Sequence, residues 1–260
     1  MVQWFLDHLP HVLLVFCRIT SFFVVAPIYS YRGVPAPFKI GFSSFIALIT
    51  FAAISFDEPV TWTLSIIPLI LKEVAVGLML GFLAYLFFTV VQIAGSFIDM
   101  QMGLGIANVV DPMTGAQSPI IGNFKFYLMT LIFLSMNGHH YLITAIMKSY
   151  QWVPINSLFF ANLENGSISE FILNIFIQCF TFAFQMSAPI IAALFLTDVA
   201  LGILAKTSPQ FNVFVIGLPL KIIVGFLLLI VVIPGLLYLF TQLFESMFQE
   251  MERFLKIMGA

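Results

Sequence analysis

The chain contains six apolar stretches, each long enough to cross a lipid bilayer. A spanning helix needs about 20 mostly apolar residues, and hydrophobic residues make up 61% of the 260 residues while charged residues make up only 8%. A soluble domain has about 25% charged residues. The sequence therefore predicts an all-α integral membrane protein with about six long, kinked helices. The predicted spans are Pro10 to Tyr29, Phe38 to Phe56, Leu64 to Val91, Phe126 to Met147, Ile168 to Thr197 and Phe211 to Phe240.

Lipid and other apolar helices are the partners that this composition favours. The net charge of -2 and the ten Lys and Arg residues provide no basic surface for nucleic acid. We therefore expect a membrane protein that does not bind nucleic acid.

Prolines and a change of pattern divide the second half of the chain. Proline removes a helical hydrogen-bond donor, so Pro68, Pro189, Pro219 and Pro234 are expected to kink or end the third, fifth and sixth spans. Residues 241–260 form a different pattern, with apolar side chains at a spacing of three to four, which predicts an amphipathic helix. We expect this helix to lie on the bilayer surface or against a partner. Its apolar residues are Leu243, Phe244, Met247, Met251, Phe254, Leu255 and Met258.

A glycine-rich block lies between the third and fourth spans. It reads FIDMQMGLGIANVVDPMTGAQSPIIGN, from Phe97 to Asn123. The block has too many glycines and prolines for a stable helix and is too apolar for an ordinary solvent-exposed loop. Irregular backbone at membrane depth must be buried in protein or line a water-filled cavity. The block therefore predicts a pore or a gate.

Several charged residues fall inside apolar segments. An ionised side chain at the bilayer centre costs about 3 kcal/mol unless it is paired or solvated. Lys72 and Glu73 are adjacent and point about 100° apart on a helix, so each is expected to find a partner on another element. Snorkelling of Lys72 and Lys221 towards the membrane edge is the alternative. Asp198 and Lys206 flank a predicted helix break that faces a neighbouring subunit. The candidate polar contacts between helices or subunits are Arg18, Lys72, Glu73, Asp198, Lys206 and Lys221.

Two common motifs, those of zinc proteases and of phosphate-binding loops, do not occur in this sequence. His139 and His140 are adjacent and lack the HExxH spacing of a zinc protease, and no GxxxxGK[ST] phosphate loop occurs. We therefore predict no catalytic residue, no metal site and no cofactor. The main alternative is an ion-coupled secondary transporter in which Asp99, Asp111 and Asp198 relay protons; an intramembrane enzyme is a third.

Five separated blocks of the sequence follow a known family pattern. They are CRITSFFVVAPIY, LKEVAVGLMLGF, VQIAGSFIDMQMGLGIANVVDPMTGAQSP, LMTLIFLSMNGHHYLI and APIIAALFLTDVALGILAKTSPQFNVFVIGLPLKIIVG. On these blocks the chain resembles the FliR family of flagellar export-apparatus proteins, whose virulence counterparts belong to type III secretion injectisomes. The likeness covers nearly the whole chain.

This resemblance implies a non-enzymatic subunit of the flagellar export gate, in the bacterial cell membrane at the flagellar basal body. Its partners would be FliP-family and FliQ-family subunits, the FlhB-family export protein and unfolded flagellar substrates. The chain would form one membrane domain, in which residues 1–165 resemble FliP, residues 166–240 resemble the FliQ hairpin and residues 241–260 form the amphipathic tail.

The resemblance also implies that the glycine-rich loop plugs the channel lumen, and it maps this loop to residues 102–123. Glycines would then give the backbone freedom, apolar side chains would seal the lumen, and polar residues and prolines would hold the closed form. A packed connector that does not move is the alternative. The predicted gate residues are Met102, Gly103, Gly105, Ile106, Asn108, Val109, Val110, Asp111, Pro112, Met113, Gly115, Gln117 and Pro119.

Overall fold

The computed structural model describes residues 2–31, 33–54, 66–105, 119–155, 167–208, 210 and 212–259. Within these ranges the regular structure consists of seven α-helices and no β-strand, so the all-α prediction is confirmed. The helices are α1 (Val2–Val25), α2 (Ala36–Ala53), α3 (Ile66–Met102), α4 (Ile120–Ser135), α5 (Gly138–Trp152), α6 (Ser167–Thr207) and α7 (Val213–Gly259).

The described helices also confirm a protein with several membrane spans. Five of them, namely α1, α2, α3, α6 and α7, are long and apolar enough to cross a bilayer, and α4 with α5 makes a sixth candidate if the two count as one bent span. The predicted span from Phe126 to Met147 is therefore divided. Its break lies at Met136 and Asn137, where the chain bends by 70°. Asn137 has a left-handed backbone (φ 57°), a conformation that asparagine tolerates better than most residues and that ends a helix.

The prolines were expected to kink or end the long helices, and they do not end them. Helix α6 continues through Pro189 for 41 residues, and α7 continues through Pro219 and Pro234 for 47 residues. Ending a helix in apolar surroundings would leave many backbone groups without partners, and that cost outweighs the single donor that a proline removes. The predicted break between Asp198 and Lys206 is also absent, since α6 continues without interruption to Thr207.

The C-terminal tail is a direct continuation of α7 and not a separate helix. The seven apolar residues of its stripe are all at most 3% exposed within the chain itself. Phe244 packs against Phe133, with ring centroids 4.9 Å apart, and Phe254 packs against Phe171, with centroids 5.6 Å apart. The apolar side of the tail is thus covered by its own chain, whereas we expected the bilayer surface or a partner.

The helices form two compact units, each built from distant parts of the sequence. The first unit contains Met1–Leu86, Asn137–Ile175 and Ser246–Ala260, and the second contains Phe87–Met136 and Phe176–Glu245. The chain passes from one unit to the other inside α3, α6 and α7.

Candidate gate region

Both ends of the predicted gate loop lie in the second unit. Helix α3 extends six residues into the glycine-rich block and ends at Met102, and α4 begins at Ile120. Ile98 and Met102 are completely buried, so their packing offsets the low helix propensity of the neighbouring glycines. Met102 and residues 120–123 of the predicted gate segment are therefore helical.

Gly103 ends helix α3. Its backbone is left-handed (φ 82°), which glycine adopts without steric cost. The Gly103 N–H donates to the Met100 carbonyl at 3.2 Å, and the Leu104 N–H donates to the Asp99 carbonyl at 3.0 Å. This pair of bonds is a Schellman motif, which satisfies carbonyls that the last turn of a helix leaves open. The structure thus gives Gly103 a definite role at the start of the loop.

The described residues include four of the predicted gate residues, namely Met102, Gly103, Gly105 and Pro119. The other predicted gate residues lie outside the described part of the chain. They are Ile106, Asn108, Val109, Val110, Asp111, Pro112, Met113, Gly115 and Gln117.

Two glycines bring the backbones of α3 and α4 into direct contact. A Cβ atom added to Gly95 would overlap the Gly122 Cα, and one added to Gly122 would lie 2.8 Å from the Pro119 Cγ and 3.1 Å from the Gln92 carbonyl oxygen. Only glycine permits so close an approach of two helices. Nothing in the local sequence pattern of either helix indicates that these two glycines are partners.

Asp99 joins the end of α3 to the start of α4. Its two carboxylate oxygens accept the Ile121 N–H at 3.1 and 3.2 Å, and the side chain is buried. One turn further along α4, Lys125 is also fully buried and donates to the Met186 carbonyl oxygen at 3.4 Å. The sequence suggests Asp99 only as a member of a proton relay, and Lys125 is not among the predicted contacts. The sequence signal for both Asp99 and Lys125 is a charged residue in a largely apolar segment, which predicts that the side chain needs a polar partner.

A single hydrophobic cluster surrounds the two loop ends. Met102 packs onto Gly225 of α7, where an added Cβ would lie 2.6 Å from the Met102 Cε. Leu104, just after the helix end, packs against the same cluster. Helices α3, α4, α6 and α7 therefore hold the start and the end of the loop together. The buried members are Ile98, Met102, Ile121, Ile190, Leu194 and Leu229.

Asp198 and Lys221, both predicted as polar contacts, meet in the second unit. The Lys221 Nζ lies 2.9 Å from Asp198 Oδ1 and 3.0 Å from Oδ2. The Gln101 side-chain amide donates to Asp198 Oδ2 at 3.0 Å, so this contact links α3, α6 and α7. Lys206 is not part of it and is exposed in the last turn of α6.

In the first unit, Arg18 and Glu73 form a fully buried ion pair. The Arg18 Nε donates to Glu73 Oε2 at 2.6 Å and Nη2 donates to Oε1 at 2.8 Å. The remaining Arg18 donors reach Ser149 Oγ at 2.9 Å and the Val153 carbonyl oxygen at 2.8 Å. The guanidinium also lies 3.9 Å from the centre of the Tyr150 ring. Such bidentate pairing is the geometry in which a buried charge is tolerated.

Lys72 contacts the segment that follows α5. Its Nζ donates to the carbonyl oxygens of Pro154 and Ile155. With the bond from Arg18 to Val153, two cations therefore bind three consecutive carbonyl groups after a helix end. Carbonyl groups beyond a helix end have no intrahelical donor, and here they lie next to the negative end of the helix dipole. Lys72 is 2% exposed, so its position differs from the snorkelling alternative.

Close packing of α3 against α1 places Glu73 near Arg18. A Cβ atom on Gly77 would overlap Ser21 Oγ and the Arg18 carbonyl oxygen, and one on Gly81 would lie 2.9 Å from the Phe22 carbonyl oxygen. Gly77 and Gly81 are small residues four positions apart, a spacing that lets two helices approach closely. They therefore serve packing within this chain.

Long apolar helices and charged side chains paired between helices are typical of a multi-span integral membrane protein. Comparison with known proteins identifies its family: the model of bacterial export proteins, family 1, matches residues 9–247. The chain belongs to this family, and the resemblance to the FliR family is confirmed.

Individual relatives agree with this assignment. The flagellar biosynthetic protein FliR of Bacillus subtilis (strain 168) is 46% identical over 256 residues, which cover 98% of each chain. FliR of Escherichia coli (strain K12) is 29% identical over 237 residues, covering 89% of this chain and 87% of the relative. FliR of Aquifex aeolicus (strain VF5) is 28% identical over 248 residues, covering 94% and 93%.

Proposed function

We propose that this chain is a non-enzymatic subunit of the flagellar protein export gate, in the bacterial cell membrane at the flagellar basal body. The observation that carries the proposal is the 46% identity, over 98% of both chains, with a protein of flagellar biosynthesis. The chain forms the secretion channel with FliP-family and FliQ-family subunits, next to the FlhB-family export protein. Unfolded flagellar proteins are its cargo.

The length of the helices supports a place among other subunits. Helices α6 and α7 contain 41 and 47 residues, which correspond to about 60 and 70 Å at 1.5 Å per residue. The hydrocarbon core is about 30 Å thick, and even a tilt of about 40° leaves about 45 to 55 Å along the membrane normal. Apolar side chains are exposed along both helices, so part of this surface requires a protein partner. Examples are Phe176, Phe184, Phe195, Leu196, Val215, Ile230, Val231 and Tyr238.

Residues 102–123 supply the plug of this channel. The described ends of the segment are held by the Gly95–Gly122 contact and the hydrophobic cluster, while the central residues close the lumen. Cargo displaces them, which requires that the closed form be only a few kcal/mol more stable than the open form.

Deletion of residues 107–117 tests the plug. We expect ion conductance across the membrane to rise while the deletion protein still co-purifies with its partners. A passive connector would instead give either unchanged conductance or failed assembly, and both outcomes contradict the plug. Gly202→Ala is a control outside the segment, because no atom lies within 4 Å of an added Cβ there.

A bulky charged residue at position 115 tests the same idea without shortening the loop. Gly115→Arg is expected to change export of flagellar proteins, because the apolar seal would have to accommodate a charge. Normal export by this variant would contradict the plug.

Expression of the chain alone distinguishes a gate subunit from an ion-coupled transporter. A gate subunit should accumulate poorly or remain inactive alone and become stable when the FliP-family and FliQ-family subunits are co-expressed. A transporter should carry a small solute when reconstituted by itself in vesicles. Solute uptake by the isolated chain would therefore overturn the proposal.

A further inference from the structure

We propose that Asp99 is a positioning residue of the gate: it fixes the start of α4 beside the end of α3, and it acts as a hydrogen-bond acceptor. The importance of Asp99 for gating rests on the function proposed above. Its role in holding α4 rests on the structure alone.

Helix α4 begins without a capping side chain of its own. Its N-cap residue is Pro119, which makes no side-chain capping bond, whereas the first N–H groups of any helix need external acceptors. The N-cap side chain commonly accepts the N–H of the second or third helical residue. Ile121 is the second residue of α4, and Asp99 accepts its N–H. Asp99 thus does from a different helix what an N-cap side chain does locally.

The neighbouring contacts leave α4 little freedom to choose another acceptor. Gly95 lies four residues before Asp99, on the same face of α3, and it holds the backbone of Gly122 in direct contact. Asp99 itself is only 4% exposed, so water does not readily replace its oxygens. Ile121 is 2% exposed and belongs to the hydrophobic cluster. The cap is therefore a buried hydrogen bond within a close helix contact.

One consequence is that both ends of the gate segment are fixed by α3. Gly103 ends that helix with its Schellman bonds, and Asp99, less than two turns earlier, holds the segment's far end at Ile121. Cargo can then displace the central residues of the segment while the end of α3 and the start of α4 stay in place. Loss of the cap would allow the first turn of α4 to open, and the seal would lose one of its two fixed ends.

A different role for Asp99 is to balance the charge of Lys125, which is fully buried one turn along α4. The two roles make opposite predictions for Asp99→Asn: a capping role predicts that this variant keeps the start of α4 in place, and a charge-balancing role predicts that it does not. Asparagine keeps a side-chain oxygen that can accept the Ile121 N–H, but it removes the negative charge. Alanine removes both.

Hydrogen exchange in the full-length protein separates these roles. We expect the amides of residues 121–123 to exchange about tenfold faster in Asp99→Ala, since loss of an N-cap acceptor usually has an effect of that order. Asp99→Asn should exchange at close to the unmodified rate. Glu245→Ala is the matched control, because it removes an exposed carboxylate from a helix of the same unit. Equal acceleration in the Asn and Ala variants, or no change in Ala, would overturn the proposal.

Asp99→Leu covers the case in which Asp99→Ala does not accumulate, since leucine has the same branched arrangement of non-hydrogen side-chain atoms as asparagine and no acceptor. If Asp99→Asn accumulates normally while Asp99→Ala and Asp99→Leu do not, the result supports the cap. Failure of all three variants to accumulate contradicts it. Ion conductance then connects the cap to the gate, and Asp99→Ala should leak more than Asp99→Asn. If deletion of residues 107–117 causes no leak, the plug fails, but the exchange rates still decide the role of Asp99.

Discussion

Arg18 of α1 and Glu73 of α3 are joined by two hydrogen bonds, and neither side chain is exposed. The two residues are 55 positions apart in the sequence. A buried ion pair contributes little beyond a well-packed apolar pair, but removal of one partner leaves the other charge buried without compensation. The pair therefore makes the first unit sensitive to the loss of either residue.

Glu73→Ala should destabilise the protein by about 3 to 5 kcal/mol, because it leaves the Arg18 guanidinium without its counter-ion. The measurement is thermal unfolding of the detergent-solubilised protein, together with the amount that accumulates in the membrane. Glu252→Ala is the matched control, since Glu252 pairs with Lys256 at 2.7 Å while 57% of its side chain is exposed. Unfolding of Glu73→Ala at the temperature of the control would contradict the role of the buried pair.

Gly77→Ala should destabilise the contact between α1 and α3 by about 1 to 3 kcal/mol, the usual cost of adding volume to a packed core. The added methyl group would meet the Arg18 carbonyl oxygen, which is backbone and cannot rotate away. Gly41→Ala is the control, because no atom lies within 4 Å of an added Cβ there, and alanine favours a helix by about 0.5 to 1 kcal/mol over glycine. The two variants should therefore move the unfolding temperature in opposite directions. Similar shifts would show that α1 and α3 pack differently.

Reversal of both charges at Asp198 and Lys221 should restore what either single reversal loses. Asp198→Lys places two lysines together and Lys221→Asp places two carboxylates together, and like charges at this distance repel. We expect a coupling of up to about 1 kcal/mol, because the side chains are 40% and 18% exposed. A double-mutant cycle on thermal unfolding measures it. Additive effects of the two reversals would mean that the pair does not form in the membrane.

Tyr29 should ionise late in an alkaline titration. It lies after α1, its hydroxyl donates to the His139 carbonyl oxygen at 3.2 Å, and burial raises its pKa from 10.0 to about 12. Burial favours the neutral phenol, so this contribution to stability is complete below pH 10 and is lost as the pH rises to about 12. Phenolate absorbance should show a late component that disappears in Tyr29→Phe. Tyr31→Phe, which removes an exposed tyrosine, should leave it unchanged.

The sequence predicted those features that depend on local composition, and it missed those that depend on pairing between distant residues. Apolar length predicted the spans, because each helix must satisfy its own backbone in lipid. Glycine and proline content predicted an irregular segment over residues 102–123, but buried Ile98 and Met102 extend α3, which ends at Met102, and the next described helix begins at Ile120. The same tertiary packing carries α7 through Pro219 and Pro234.

The candidate contacts show the same division. Isolated charges in apolar stretches drew attention to Arg18, Lys72 and Glu73, but their partners depend on how the helices pack. The cap that Asp99 provides spans 22 residues, beyond any helical periodicity. A sequence pattern therefore indicates which side chains need a partner, and only the packed structure identifies it.

The contact between Gly95 and Gly122 has a genetic consequence. Where a hydrogen atom already fills the available space, even the smallest coding change, from glycine to alanine, is too large. In a library of random substitutions scored by swimming motility, we expect both positions to remain glycine among the motile survivors.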